Sequence, residues 1–173
     1  MRINSIDSVH PLLKEIILKF NERLEKEGIK AYPFETFRSF LEQEKLYRIG
    51  REYKNGEWIV IDKKKIVTKA RPGFSYHTYG LAVDYVFDGD DKKQGIQWSW
   101  DNKHPWKILG KIGKECGLEW GGDFKTFCEY PHFQLTYGIP VQQLYNIFLK
   151  DGMSKVWEII YKQAEYTVVN HPI

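Results

Sequence analysis

The chain has 173 residues, of which 42% are hydrophobic and 16% aromatic, so it is long enough to form one domain with a sizeable core. Its formal net charge of +3 is too small to require a nucleic acid or another polyanion as partner. Two distant cysteines argue against a disulfide framework or a zinc ribbon, and no apolar run reaches the ~18 residues of a membrane span.

The first predicted element is a helix over residues 7–27. Its apolar residues recur at steps of three and four, which predicts one buried stripe. Pro11 is tolerated in a first helical turn, and Gly28 is a typical stop signal. His10 lies at the start of this helix, where we expect a solvent-exposed histidine.

A short strand over residues 32–38 is expected next. Ser39 then caps a second helix, with Glu42 three residues later in the spacing of a capping box. This helix ends near Ile49, and Gly50 follows as its stop.

Residues 53–69 carry the pattern of a hairpin, whose turn is Asn55-Gly56. Residues 58–61 are one predicted arm, residues 62–65 a charged turn, and residues 66–68 a further strand. The lysines of the charged turn are interpreted as a solvated loop. We expect the hairpin to shape the rim of a groove, but its role is not specified by the sequence.

A buried strand over residues 81–87 is predicted from its apolar, β-prone residues. Gly80 precedes it and can supply a tight bend. Asp84 lies inside this strand, where a carboxylate is costly unless a cation or hydrogen bonds compensate for its lost solvation. A second strand is predicted over residues 127–135, with His132 pointing into a cleft while its neighbours pack into the core.

The remaining segments are a polar loop over residues 88–102 and three helices. Trp98 and Trp100 lie in the loop; they either stack on a glycan or pack against the fold, and packing is the simpler interpretation. One helix covers residues 105–116. Two more follow, from Pro140 to Gly152 and from Ser154 to about residue 166. We expect the tail over residues 167–173 to be loosely held.

Two imidazoles and two carboxylates occur in two short stretches, around His77 and around His132. A catalytic zinc site takes three protein ligands and keeps one position for water, which makes His77, Asp84 and His132 candidate ligands. Glu129 is then left as a candidate base. Each of these residues, taken singly, is more often structural, and Cys128 and His104 remain rival ligands on the sequence alone.

A resemblance to a known family is carried by several motifs together. Ser75-x-His77-x-x-Gly80-x-Ala82-x-Asp84, followed by Glu129-x-x-His132, resembles the zinc peptidases of the D-alanyl-D-alanine carboxypeptidase superfamily, which includes lysostaphin-type enzymes and the hedgehog signalling domain. The most similar branch is that of the L-alanyl-D-glutamate peptidases of phage endolysins and bacterial wall hydrolases. Three further segments match that branch, over residues 36–51, 67–73 and 118–124.

The resemblance implies a set of roles. His77, Asp84 and His132 would bind one Zn²⁺, Glu129 would act as the base, and Arg38 would stabilise the oxyanion. Three further residues are candidate substrate contacts, each with a structural alternative: Ser75, Gln43 and Tyr79.

The implied function is hydrolysis of a peptidoglycan stem peptide, with the L-Ala–D-Glu bond as the expected target. One departure affects that choice, because the endopeptidase branch usually has Asp where this chain has Glu129. A D-alanyl-D-alanine carboxypeptidase or dipeptidase is therefore an alternative. A non-catalytic, zinc-stabilised binding domain is an alternative of a different class.

The resemblance also implies the architecture: an α+β fold with a small, mainly antiparallel sheet, helices on one face and the metal in a groove on the other. We expect one domain over residues 1–173, with a motif core at 32–135 and a helical extension at 140–166. The expected partner is a stem peptide, without nucleic acid or membrane insertion, and the protein is expected to be a monomer. No secretory signal is recognised, so we expect a soluble protein made in a bacterial cytoplasm, encoded by a bacterium or a phage, that acts on the wall after release.

Overall fold

The computed structural model describes residues 2–3, 5–90 and 93–170. Its α-helices are α1 (Pro11–Lys26), α2 (Phe40–Arg48), α3 (Trp106–Glu115) and α4 (Val141–Asn170). Its strands are β1 (Arg2–Ile3), β2 (Ala31–Glu35), β3 (Phe37–Arg38), β4 (Arg51–Lys54), β5 (Glu57–Val60), β6 (Ala82–Asp88), β7 (Trp98–Ser99), β8 (Glu119–Trp120) and β9 (His132–Gln134). Within this part of the chain, no helix is long and apolar enough to cross a bilayer.

The main sheet is antiparallel, in the order β2-β6-β9-β8, and β7 pairs with the far end of β6. Strand β6 lies at its centre, where the register sets Asp84 opposite both Glu35 of β2 and His132 of β9. Two small sheets, β1-β3 and β4-β5, flank it. The register therefore brings three of the polar residues from distant parts of the sequence onto neighbouring strands.

One face of the sheet is covered by α1 and α3. Because side chains alternate along a strand, Val83 and Tyr85 of β6 point into this core, as does Phe133 of β9. The stripe of α1 that packs against them is fully buried and consists of Leu13, Ile17, Phe20 and Leu24. The predicted α+β class, with an antiparallel sheet and helices on one face, is confirmed.

Helix α4 builds a second core against the segment that precedes β6. Leu144, Val156 and Ile160 of α4 are buried there together with Tyr79 and Leu81. The helix is broken at Gly152 (φ 80°, ψ −177°), close to the predicted boundary between two helices. This second core holds the short helical turn that carries His77.

Local predictions from turn and cap residues are confirmed. The Ser39 hydroxyl accepts a hydrogen bond from the Glu42 backbone N–H at the start of α2. Strands β4 and β5 form the predicted hairpin around Asn55-Gly56, where both residues have positive φ.

One predicted strand is absent and another is shorter than predicted. Residues 66–68 form no strand, because the Thr68 carbonyl accepts a hydrogen bond from the Arg51 side chain instead of from a neighbouring strand. The strand predicted over residues 127–135 is reduced to β9. Its first half is a turn, in which Glu129 N–H donates to Gly121 and His132 N–H donates to Glu129.

The predicted start of the first helix and the predicted end of the last helix also need correction. Helix α1 begins at Pro11, because His10 has the extended backbone of a capping residue. Helix α4 continues to Asn170, beyond the predicted end at 166. The last three residues of the tail, including His171, lie outside the described residues.

Candidate active site

His77 lies on a single 3₁₀ turn, Tyr76–Tyr79, that leads into β6. The turn ends at Gly80, whose φ of 66° is in the left-handed region that glycine adopts without strain. Gly80 also lies close to the start of α1, since its carbonyl accepts a hydrogen bond from His10 N–H at 2.9 Å. This bend reverses the chain, so that His77 points at Asp84 seven residues later.

The three candidate ligands converge on one point. The His77 Nε2 and Asp84 Oδ1 atoms are 3.1 Å apart, and His132 Nδ1 lies 3.0 Å from the same oxygen. The two histidine nitrogens are 3.2 Å apart. All three ligand atoms lie within 4.8 Å of one another, which is the arrangement of a metal-binding group.

The other nitrogen of each imidazole fixes where the ring proton resides. His77 Nδ1 lies 2.8 Å from the Thr36 carbonyl, which can only accept, so Nδ1 donates. His132 Nε2 lies 3.0 Å from Gln134 Oε1, and the Gln134 amide nitrogen in turn donates to Glu119. In the neutral rings, both central nitrogens therefore carry lone pairs.

Two lone pairs that face each other beside a carboxylate repel unless a cation lies between them. The donor set of two imidazole nitrogens and one carboxylate oxygen suits a divalent transition metal, with Zn²⁺ among those that such sites bind. Thr36 and Gln134 hold the two rings in the orientation that metal-bound histidines usually have. The residues present thus fit the metal that the motifs imply.

The rings and the carboxylate also interact electrostatically when the imidazoles are protonated, and a positive charge on them stabilises the Asp84 carboxylate as a metal ion would. Burial alone would raise the pKa of Asp84, but the charges and hydrogen bonds of His77 and His132 hold it well below its usual range. Burial lowers the pKa of His132, but its hydrogen bond and charge interaction with Asp84 raise it on balance. Asp84 is therefore ionised at neutral pH and available as a ligand.

A hydrogen-bonded chain extends from His132 to β8. Gln134 joins the His132 ring to the Glu119 carboxylate, with its amide nitrogen 2.9 Å from Glu119 Oε2. Thr136 donates a further hydrogen bond to the other Glu119 oxygen. Neither Gln134 nor Glu119 was assigned a role from the sequence.

Arg38 lies next to the ligand group and is almost fully buried. Glu35 binds it through two hydrogen bonds, from Nε at 2.9 Å and from Nη2 at 2.7 Å, while Nη1 donates to Gln43 at 2.9 Å. Nη2 also lies 3.4 Å from Asp84 Oδ2. Among the described residues, this leaves one of the five guanidinium N–H groups without a protein partner.

Glu35 was not predicted from the sequence as part of the site. It is only 3% exposed, and a buried carboxylate needs the paired arginine that it has here. A Glu three residues before a motif arginine does not by itself predict an ion pair in a strand. The bulge between Pro33 and Glu35 decides which way the Glu35 side chain points.

Glu129 lies in the same cleft, on the turn before β9. Burial raises its pKa above the ordinary value of 4.5, more than the nearby His132 lowers it. The Glu129 backbone is held by Gly121, and a Cβ at position 121 would lie 2.5 Å from the Glu129 carbonyl oxygen. Position 121, in the matching segment 118–124, is therefore a glycine because Glu129 packs directly on it.

These residues line a cavity of about 730 Å³. Its wall includes all three candidate ligands, Glu129, Arg38 and Ser75, together with the aromatic residues Phe34, Phe74, Tyr76, Trp100, Phe124 and Phe127. Ser75 is thus placed where a substrate contact is possible.

The other two candidate substrate contacts lie elsewhere. Gln43 is fully buried behind Arg38 and donates to the Ala70 carbonyl, so it supports the arginine. Tyr79 is fully buried in the second core, and its hydroxyl donates to the Gly73 carbonyl. In this structure neither side chain reaches the cavity, which corrects the expectation of direct substrate contact.

The rival ligands are also excluded by their positions. His104 stacks on Phe87 with ring centroids 4.6 Å apart, and its Nε2 lies 2.7 Å from the Ser99 hydroxyl. Cys128 is an exposed free thiol on the cavity wall. Neither belongs to the group of ligand atoms around Asp84.

The fold and the site define a class: a metallopeptidase with a His, Asp, His ligand group in a cleft beside a partly buried glutamate. A family model described as D-alanyl-D-alanine carboxypeptidase matches residues 68–135. The peptidoglycan L-alanyl-D-glutamate endopeptidase CwlK of Bacillus subtilis (strain 168) is 38% identical over 134 residues, which is 73% of each chain. An L-alanyl-D-glutamate peptidase of Listeria phage A118 is 35% identical over 63 residues, 36% of this chain and 21% of that protein.

Two solved structures share the fold. The L-Ala D-Glu endopeptidase ChiX of Serratia marcescens has a TM-score of 0.51 and 26% identity, covering 79% of this chain and 91% of its own. VanYB in complex with D-alanine-D-alanine has a TM-score of 0.55 and 18% identity, covering 95% of this chain and 84% of its own, and shows the fold alone. The chain belongs to the D-alanyl-D-alanine carboxypeptidase superfamily of metallopeptidases, as the motifs predicted, and within it to the L-alanyl-D-glutamate peptidase branch.

Proposed function

We propose that the protein is a zinc-dependent peptidase that hydrolyses the L-Ala–D-Glu bond of peptidoglycan stem peptides. The observation that carries this proposal is the convergence of His77, Asp84 and His132 within a cleft that also contains Glu129. The names of the relatives CwlK and ChiX support the choice of bond.

His77 Nε2, His132 Nδ1 and Asp84 Oδ1 would hold one Zn²⁺. When bound, the ion supplies a Lewis acid that polarises a carbonyl oxygen and makes a water molecule more acidic. Three protein ligands leave a position for such a molecule, as in other catalytic zinc sites. The hydrogen bonds from His77 to Thr36 and from His132 to Gln134 keep both rings oriented during turnover.

Glu129 accepts the proton of the attacking water and returns it to the leaving amine. Its raised pKa suits a group that must both take and give a proton near neutral pH. Arg38 uses its remaining N–H to stabilise the negative charge that develops on the carbonyl oxygen. Glu35 and Gln43 fix the plane of the guanidinium, so that this donor does not have to be ordered during the reaction.

A carboxypeptidase must also bind the free carboxylate at the end of its substrate. Among the described residues that line the cavity, Arg38 is the only cationic side chain, and Glu35 already neutralises it. This favours cleavage within a peptide over removal of a terminal D-Ala. A binding domain without catalysis is less consistent with Glu129, because burying a carboxylate beside the ligands is costly without a use for it.

The decisive experiment is digestion of purified peptidoglycan by the zinc-loaded protein, with a chelated sample and the Glu129→Gln variant as controls. New L-Ala C-termini and D-Glu N-termini are expected only with the zinc-loaded wild type. Release of free D-Ala would identify a carboxypeptidase instead. Binding to the wall without any new termini would show a non-catalytic domain.

A further inference from the structure

Three aromatic side chains form a surface beside the ligand group that the proposed chemistry does not use. Phe34, Trp98 and Trp100, here called the aromatic lip, contact one another through Phe34. The Phe34 ring centroid lies 5.0 Å from that of Trp100 and 5.7 Å from that of Trp98, both in edge-on geometry. Trp98 and Trp100 remain 45% and 47% exposed, which is unusual for side chains with so much apolar surface.

The lip lies on the same face of the sheet as Asp84. Strand β7 pairs Trp98 with Asp88, and Asp88 shares its face with Asp84 because side chains alternate along β6. Trp98 is therefore about 14 Å along β6 from Asp84, at about 3.4 Å per residue. The chain runs antiparallel to β6, so Trp100 lies nearer to Asp84 than Trp98 does, and it lines the same cavity as the ligands.

The substrate chemistry of the proposed function places a sugar ring close to the scissile bond. The L-Ala of a stem peptide is joined by an amide bond to the lactyl group of the muramic sugar. Only one residue, about 3.5 Å of extended chain, separates that amide from the scissile bond. A cleft that cuts L-Ala–D-Glu in the wall must therefore accommodate a pyranose ring close to its ligands.

The lip has the chemistry to bind such a ring. Exposed aromatic rings stack on the apolar C–H face of a sugar, as they do on other flat ligands with little charge. The peptide on the other side of the scissile bond is anionic, and the three side chains of the lip carry no charge that would attract it.

We propose that the aromatic lip is a carbohydrate subsite that binds the N-acetylmuramoyl residue next to the scissile bond. Trp100 provides the stacking surface, Phe34 holds it in place, and Trp98 extends the surface away from the ligands. This proposal rests on the proposed function, because it assumes cleavage at L-Ala–D-Glu. Such a subsite makes the enzyme selective for stem peptides that are still attached to glycan.

The test compares two substrates: N-acetylmuramoyl-L-Ala-γ-D-Glu-L-Lys and the same tripeptide with a simple N-acetyl group. The zinc-loaded wild type should prefer the muramoyl substrate about two- to tenfold in kcat/KM, chiefly through KM, as expected for aromatic stacking. Trp100→Ala should abolish this preference, and Trp100→Phe should retain most of it. Tyr53→Ala, which removes a 59% exposed aromatic residue outside the cavity wall, should keep the wild-type ratio.

Equal rates for the two substrates in the wild type would overturn the subsite, and so would a Trp100→Ala variant that keeps the preference. If Trp100→Ala does not fold, wild-type inhibition decides the question: N-acetylmuramoyl-L-Ala should inhibit more strongly than N-acetyl-L-Ala, and equal inhibition contradicts the proposal. Failure of the proposed function is distinct, since the zinc-loaded protein would then produce no L-Ala C-terminus from either substrate.

Discussion

Two buried histidine environments in this molecule have similar exposure and opposite meaning. His10 is 0% exposed, and His77 and His132 are 1% and 8% exposed. The Nδ1 atom of His10 accepts from Leu12 N–H, and its Nε2 donates to the Trp157 carbonyl, so both ring nitrogens are satisfied by the backbone. His77 and His132 each place one ring nitrogen on an uncharged acceptor and direct the other at the Asp84 carboxylate oxygen that they share.

The difference shows that burial alone does not identify a metal ligand. His10 ties the start of α1 to α4, and its ring packs against Trp157 and Tyr161. Its place as a structural cap corrects the expectation of an exposed histidine. A structural histidine such as His10 has backbone partners at both ring nitrogens, whereas His77 and His132 each direct one ring nitrogen at a shared carboxylate.

The largest effect is expected from removing a ligand. His77→Ala should lower zinc affinity by more than about 100-fold, since loss even of an outer partner costs 10–100-fold. His10→Ala is the matched control, a buried histidine whose removal should leave zinc affinity unchanged. A competitive chelator titration measures both. Wild-type affinity in His77→Ala would remove His77 from the ligand set.

Glu129→Gln should separate metal binding from catalysis. The amide cannot take a proton from water, so kcat should fall by about 10²–10⁴-fold while zinc remains bound. Hydrolysis of the muramoyl tripeptide, together with zinc content, gives both numbers. An active variant would show that another group acts as the base.

Gln134→Leu tests the chain that orients His132. The variant removes the acceptor of the His132 Nε2 proton, so the ring is no longer held with Nδ1 free to bind the metal. Zinc affinity should fall about 10–100-fold. The exposed residue Gln143 provides a control, Gln143→Leu, with no expected effect on affinity. Unchanged zinc affinity in Gln134→Leu would show that the orientation of the His132 ring does not depend on Gln134.

His10→Ala should destabilise the fold without affecting the metal. Loss of a helix cap and of its packing against α4 should lower the free energy of unfolding by about 1–3 kcal/mol. Denaturant unfolding of the chelated protein measures this change. If the variant is as stable as the wild type, the link between α1 and α4 does not depend on His10.

The smallest effect is a pH dependence of stability that originates at His10. Burial lowers the pKa of His10 from 6.5, more than its hydrogen bond to Trp157 raises it. Below pH 6.5 the unfolded chain binds a proton that the folded chain resists, so this contribution to stability is present above pH 6.5 and is lost as the pH falls. The stability difference between wild type and His10→Asn should shrink from pH 7.5 to pH 5. A constant difference would contradict the assignment.

Much of the local structure follows from residues that interact over short distances. The Ser39 cap, the Asn55-Gly56 hairpin and the Gly80 bend were predicted from the sequence, because each depends on conformational preferences within a few residues. The alternation that directs His132 into the cleft was predicted in the same way. The ligand candidates were identified because their residue types and motif spacing are specific to one kind of chemistry.

The sequence by itself thus determined the fold class, the turns and the candidate ligands. The tertiary structure decided which polar side chains share a partner. Glu119 and Gln134 are 15 positions apart and His10 and Trp157 are 147 apart, so no local pattern predicts those pairs. Glu35 and Arg38 are only three positions apart, and the bulge between Pro33 and Glu35 decides that they pair. Tyr79 is buried for the long-range reason, because the environment of a side chain is set by strands and helices that meet only after the chain has folded.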